Sequence, residues 1–259
     1  MTDDLVLRQD SAGVATLTLN RPQQRNALSR AMIAALRAEL ARLASDASVK
    51  ALVLTGAGPG FCSGHDLKEI QANPDPAFYA ALFEECAALM LALQALPQPV
   101  IARVHGIATA AGCQLVATCD LAIASTRAHF ATPGVHIGLF CSTPMVALSR
   151  NIPRKRALEM LMLGETIDAA TAAAYGLVNA VVEPDDLDAA VAGFTARLTA
   201  KSPLTLRIGK EAFYRQDEMT TAEAYAYTAA VMARNLATHD AAEGIDAFLT
   251  KRTPIWCGV

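Results

Sequence analysis

Short apolar, β-branched runs bounded by Gly, Pro, Asn or Asp recur along the chain and predict strands at 14–19, 51–55, 100–104, 121–124 and 178–182. Between them the apolar positions change to helical spacing. Ser29 caps one such segment, with Met32, Ile33, Leu36, Leu40 and Leu43 on a single face. Further helical segments are predicted at 76–96 and 110–118, and from Pro153 to residue 163. This alternation predicts an α/β fold with right-handed crossovers. Beyond about residue 185 the strand pattern ends, and 185–200, 203–214, 220–238 and 241–250 all read as helices. The expected architecture is a strand-containing body followed by a helical tail.

Composition narrows the function classes. With 259 residues, 53% hydrophobic and 18% charged, the chain can bury a large core without disulfides and is not disordered. The net charge is −3, and the longest basic run is Arg154-Lys155-Arg156, so no basic face for nucleic acid is expected. Mean hydropathy is +0.28, yet no uncharged apolar run approaches the roughly 18–20 residues of a membrane span. The six cysteines fit no zinc-binding spacing, which leaves them as free, mainly packing thiols and points to a reducing compartment. The N-terminus is acidic and lacks the features of a signal or transit peptide. A cytoplasmic protein without metal or resident cofactor is the expectation.

Two small-residue segments each follow a predicted strand and open a helix. The first runs Thr55-Gly56-Ala57-Gly58-Pro59-Gly60-Phe61-Cys62-Ser63-Gly64-His65-Asp66-Leu67-Lys68, and the second Val104-His105-Gly106-Ile107-Ala108-Thr109-Ala110-Ala111-Gly112-Cys113-Gln114. Glycines there can serve tight turns and helix packing alone. They can also let a ligand approach backbone amides that a helix start leaves unpaired, and two such turns side by side could aim two amides at one developing oxyanion. Neither segment fits a nucleotide-phosphate loop.

Together with Asn20-Arg21-Pro22, Asn26-Ala27-Leu28, Cys119-Asp120-Leu121, Phe130-Ala131-Thr132-Pro133, Ala174-Tyr175-Gly176-Leu177 and Glu243-Gly244-Ile245, these segments resemble the crotonase (enoyl-CoA hydratase/isomerase) superfamily. The resemblance covers nearly the whole chain and is nearest to the enoyl-CoA hydratase domain-containing protein 3 subgroup. It implies a spiral of ββα turns over 1–195 and a helical oligomerisation and CoA-covering region over 196–259, assembled as a homotrimer or dimer of trimers. It further implies an acyl-CoA substrate whose thioester carbonyl meets the amides of His65 and Ala111. CoA contacts are implied for Arg25, Ala27, His65, Asp66, Leu67, Lys68, Phe248 and Lys251.

The hydratase pattern is broken at its chemistry. Where the family's hydratases carry two glutamates, this chain has Gln114 and Gly134. Glutamine can hold a water but cannot shuttle a proton, and glycine offers no side chain. Independently of the family, residues 86–158 contain a single carboxylate, Asp120, expected to bond backbone amides. His65 resembles the Ser-Gly-His-Asp stretch of decarboxylases in the superfamily, and Gln114 is the other candidate catalytic side chain. Cys141, in the segment that lines the family's acyl pocket, is expected to pack. The reading is therefore an acyl-CoA enzyme of fatty-acid metabolism that stabilises an enolate and is not an ordinary hydratase. Decarboxylation, isomerisation and thioester cleavage are its candidate reactions. A specialised hydratase with water held by Gln114, or a non-catalytic acyl-CoA-binding oligomer, are the alternatives.

Overall fold

The computed structural model describes residues 4–259. Two sheets run side by side through it. The larger has six strands: β1 (Val6–Ser11), β2 (Val14–Leu19), β3 (Ala51–Gly56), β5 (Val100–Val104), β7 (Leu121–Ser125) and β10 (Ala180–Val182), in that spatial order. β1 pairs antiparallel with β2, and every other neighbouring pair is parallel. The smaller sheet holds β4 (Gly60–Cys62), β6 (Ile107–Thr109) and β8 (His129–Ala131) in parallel, with β9 (Ile167–Asp168) antiparallel at its edge. Consecutive strands β3/β4, β5/β6 and β7/β8 thus divide between the sheets, and each pair leads into helix. That is a ββα spiral, the fold class the sequence implied. All five strands expected from sequence are present. The short strands of the smaller sheet were not foreseen, since three residues cannot display an alternating pattern.

The core explains the ordering. β2 buries alternate residues, Ala15, Leu17 and Leu19, whereas Ala51–Leu54 in β3 are buried throughout. β3 is therefore covered on both faces, as parallel strands require. One face packs on α1 (Arg30–Ala44), whose Ser29 hydroxyl accepts the Met32 amide at 3.2 Å and whose expected apolar face is buried. On the other face Val53, Ile101 and Ile123 pack on Leu187 and Val191 of α8 (Leu187–Thr199). α8 runs continuously across residues 195 and 196.

α2 (Leu67–Ala72) and α3 (Pro76–Ala95) follow the first strand pair, α4 (Ala111–Thr118) the second, and α5 (Ser142–Asn151) and α6 (Arg154–Leu163) the third. By length and a mean hydropathy of 1.4, α3 is the one described helix that could cross a membrane. It packs as a core helix instead: Leu82, Cys86, Leu89 and Leu93 are buried, and Glu85 pairs with Arg30. α7 (Ala169–Tyr175) precedes β10. The tail comprises α9 (Pro203–Gln216), α10 (Thr221–Leu236) and α11 (His239–Thr250). It is pinned to the spiral through Asp120, which accepts the Val100 amide at 2.7 Å, the Tyr214 hydroxyl at 2.8 Å and the Lys210 ammonium at 2.7 Å. Lys210 also donates to the Leu93 and Gln98 carbonyls. Asp120 therefore has the backbone-bonding role expected of it and is spent on structure.

Candidate active site

The N-terminal strand pair delivers the chain to the first small-residue loop through Asn26. This residue is fully buried at φ 56°, a left-handed conformation that Asn tolerates better than most residues. Its Nδ2 donates to the Ala57 and Gly60 carbonyls at 2.9 Å and to the Phe61 carbonyl at 3.1 Å, while Oδ1 accepts the Arg21 amide. In the sequence Asn26 carried only a resemblance.

The two loops are locked together. Thr109 Oγ1 donates to the Ser63 carbonyl at 3.1 Å, and His105 Nε2 donates to the Gly58 carbonyl at 2.9 Å. A Cβ on Gly112 would lie 2.1 Å from the Cys62 carbonyl oxygen, so glycine is required there by close approach. Gly64, at φ +90°, sits so near the second loop that a Cβ would fall 3.3 Å from the Ala111 nitrogen. Close packing between the loops is thus what these glycines allow.

This contact sets the two amides beside each other. The bridge between Leu28 and His65 runs from the Leu28 amide to the Gly64 carbonyl and from the Asp66 amide to the Leu28 carbonyl, which leaves the His65 N–H unused. Ala111 is the first residue of α4, so its N–H has no helical acceptor. Among the described residues neither amide has a protein partner. Ala110 just before it has φ 49° and ψ −118°, a conformation L-residues rarely adopt, and one that costs about 1–3 kcal/mol. Its amide is tied to the Ala131 carbonyl at 2.9 Å, and its carbonyl accepts the Gln114 amide at 3.0 Å. The strained turn fixes where the Ala111 N–H points.

Both amide-bearing residues line a cavity of about 820 Å³. Arg25, Ala27, Asp66, Leu67 and Lys68 line it too, so seven of the residues singled out from sequence converge there. The apolar wall is made by Ile70, Phe83, Ile137, Leu139, Phe140 and Pro144. Phe83 was missed in the sequence because it reads as one more apolar position of α3. Three expected residues are not brought to the cavity. Gln114 is 4% exposed, its Oε1 has no hydrogen-bond partner, and it lies one turn into α4 outside the lining. Phe248, 82% exposed, and Lys251 belong to the end of α11, where Phe248 borders a separate hollow with Leu236, Ile245 and Trp256.

The titratable residues that line the cavity are Arg25, His65, Asp66, Lys68, His136 and Cys141. Asp66 is the one carboxylate among its lining residues, and it is committed: it caps α2 by accepting the Lys68 and Glu69 amides and pairs with Arg21 at 3.0 Å. Burial works to raise its carboxyl, but the Arg21 and amide hydrogen bonds outweigh it and hold it below the usual value. Gly134 lines the cavity, and a Cβ there would meet the Leu139 carbonyl oxygen at 2.5 Å and Cys141 Sγ at 2.9 Å. The place where a side chain would begin is filled by the chain's own loop. Burial pushes the Cys141 thiol up, with a smaller opposite effect from the Gly134 backbone, which agrees with a packing role. His65 stands against Phe83 edge to face, ring centroids 5.3 Å apart, with neither ring nitrogen hydrogen-bonded. Burial pushes its imidazole below the ordinary value, only partly offset by the Leu28 backbone.

The fold is a ββα spiral, and the two amide-bearing residues without protein partners line an apolar-walled cavity. The chain belongs to the enoyl-CoA hydratase/isomerase family, whose profile matches residues 9–258. It is 46% identical to enoyl-CoA hydratase domain-containing protein 3, mitochondrial, from Xenopus laevis, over 97% of this chain and 86% of that one. Among solved structures, an enoyl-CoA hydratase from Mycobacterium smegmatis superposes with a TM-score of 0.96 at 53% identity, covering 97% of this chain and 98% of the other. The human enoyl-CoA hydratase domain-containing protein 3 superposes with a TM-score of 0.94 at 42% identity, covering 97% and 100%. The Xenopus laevis, Mus musculus and Homo sapiens relatives are named mitochondrial, which contradicts the cytoplasmic expectation. The reason is physical: the cysteines are indeed unpaired, but free thiols speak only for a reducing environment and do not single out the cytoplasm.

Proposed function

We propose that this protein binds an acyl-CoA thioester with its carbonyl oxygen between the His65 and Ala111 amides, and catalyses loss of carbon dioxide from an alkylmalonyl-type acyl group. The observation that carries the reading is the pairing of two unpartnered amides with a cavity whose only lining carboxylate is already engaged. The bond between the α-carbon and the carboxylate breaks, its electron pair becomes the thioester enolate, and carbon dioxide leaves. The enolate then takes a proton from solvent at the α-carbon. Two N–H donors match the charge that develops on the carbonyl oxygen. No carboxylate pair is needed. Neutral His65 donates one hydrogen bond that orients the departing carboxylate, and the apolar wall around Phe83 and Phe140 strips that carboxylate of water, which favours its loss.

CoA is substrate, not cofactor. Arg25 and Lys68 supply positive charge to its phosphates at the mouth. Phe248 and Lys251 serve the site only from a neighbouring copy, in a homotrimer or dimer of trimers, because their own chain holds them away from the cavity. A second reading, a specialised hydratase, is favoured by the name of the Mycobacterium smegmatis relative.

The test is mass-spectrometric turnover of a panel holding methylmalonyl-, ethylmalonyl-, crotonyl-, 3-enoyl- and saturated acyl-CoA, with binding measured in parallel. Loss of carbon dioxide from the malonyl-type members is expected. Addition of water to crotonyl-CoA as the main reaction would establish the second reading. Tight binding with no product from any member would leave an acyl-CoA-binding protein.

A further inference from the structure

Away from the cavity, the start of α11 and the last residues of the chain bring three different metal-ligating side chains together. One ligand atom from each of His239, Asp240 and Cys257 lies within 4.8 Å of the other two. Sγ is 3.1 Å from His239 Nδ1 and 3.2 Å from Asp240 Oδ1. In a tetrahedral zinc site the donor atoms stand about 3.3–3.7 Å apart, given metal–ligand distances of about 2.0–2.3 Å. The two Sγ distances need to open by only a few tenths of an ångström.

The surroundings are those of a held ligand set. Asp240 is 1% exposed, and its carboxylate is fixed by the Ser202 hydroxyl at 2.5 Å, the Cys257 amide at 2.8 Å and the Gly258 amide at 3.0 Å. Such outer contacts orient a ligating carboxylate. His239 and Cys257 are exposed, which provides an entry path and a fourth position for water. Cys257 is also the one exposed cysteine among the described residues. The other five are buried, and burial pushes Cys62, Cys86 and Cys113 up to about 12, which makes them poor competitors for a metal. Sequence spacing could not show the trio, because Cys257 returns to α11 only through the fold.

We infer that His239, Asp240 and Cys257 form a site for a borderline-soft divalent cation of the zinc class, which clasps the C-terminal segment to the start of α11. On binding, the Cys257 thiol releases its proton to solvent as the metal–sulfur bond forms. Neutral imidazole, carboxylate and thiolate together suit zinc over magnesium or calcium.

The test titrates the full-length, chelator-treated protein with Co²⁺ and Zn²⁺. In the wild type, one equivalent of Co²⁺ gives a thiolate-to-metal charge-transfer band, Zn²⁺ displaces it, and Zn²⁺ protects Cys257 from alkylation as read by peptide mass spectrometry. Cys257→Ser loses the band. His239→Ala weakens zinc binding by at least about tenfold, since outer-contact changes alone cost about 10–100-fold. Zinc raises the melting temperature of the wild type and not of Cys257→Ser. Absence of the band in the wild type, or unchanged alkylation of Cys257 with Zn²⁺ present, overturns the assignment, and the alkylation result needs no variant.

Discussion

The two halves of the cavity have been treated differently by the chain. The half that would polarise a carbonyl is over-determined: Asn26, the Thr109–Ser63 and His105–Gly58 hydrogen bonds, and the contact of Gly112 on Cys62 all fix the same two amides. The half around Gly134 is instead filled in. Leu139 and Cys141 occupy the space beside Gly134, and Gln114 is turned into the interior. Backbone packing and loop-to-loop hydrogen bonds hold the two amide-bearing turns, whereas the space beside Gly134 is taken up by the chain's own loop.

The largest expected effect sharpens that contrast. Gly112→Ala places a Cβ against the Cys62 carbonyl in the centre of the structure and destabilises the protein by about 3 kcal/mol, with activity lost in the folded fraction. Gly134→Ala meets a similar clash, but with a loop whose Leu139 is 52% exposed and can move, so the cost is about 1 kcal/mol. Chemical denaturation of both variants measures the difference. Equal costs would remove the contrast. Gly134→Glu, for the same steric reason, confers no crotonyl-CoA hydration.

Next in size, His65→Ala keeps both backbone amides but removes the ring. Turnover of a malonyl-type thioester falls about 100-fold, in line with the loss of one oriented donor, while CoA thioester binding changes little. Steady-state kinetics that show a loss in KM alone would assign His65 to binding only.

The smallest effect is on stability against pH. Burial depresses the His65 imidazole in the folded state. A depressed base contributes stability above its unfolded pKa, near 6.5, and loses it as pH falls through the folded value. Melting temperature of the wild type is therefore flat above about pH 6.5 and declines below it. In His65→Gln the decline is shallower, and the remainder reflects His105, whose ring is lowered mainly by burial. Identical pH profiles would show that His65 is not desolvated.

Much of this was legible in the sequence, for definite reasons. The central strands announced themselves because both their faces are buried, giving unbroken apolar runs such as Ala51–Leu54. The two loops were legible because close approach admits only glycine at positions such as 112. What could not be read was placement. Position-by-position resemblance put Gln114 at the site, but it is buried in α4 and is not among the residues that line the cavity. It put Phe248 and Lys251 there as well, although their own chain cannot deliver them. Asn26 looked like any loop asparagine until its three acceptors were assembled by the fold. The filled space at Gly134 depends on a loop returning from residues 139–141, which no local pattern encodes.

The central claim is that the His65 and Ala111 amides together polarise a thioester carbonyl. Isotope-edited infrared spectroscopy of a bound, carbonyl-¹³C-labelled, non-reacting acyl-CoA reads this directly. The carbonyl stretch is expected to move clearly to lower frequency on binding, with the shift retained in His65→Ala, because the amide and not the ring supplies the donor. A bound ligand whose carbonyl stretch stays at its value in water would contradict it.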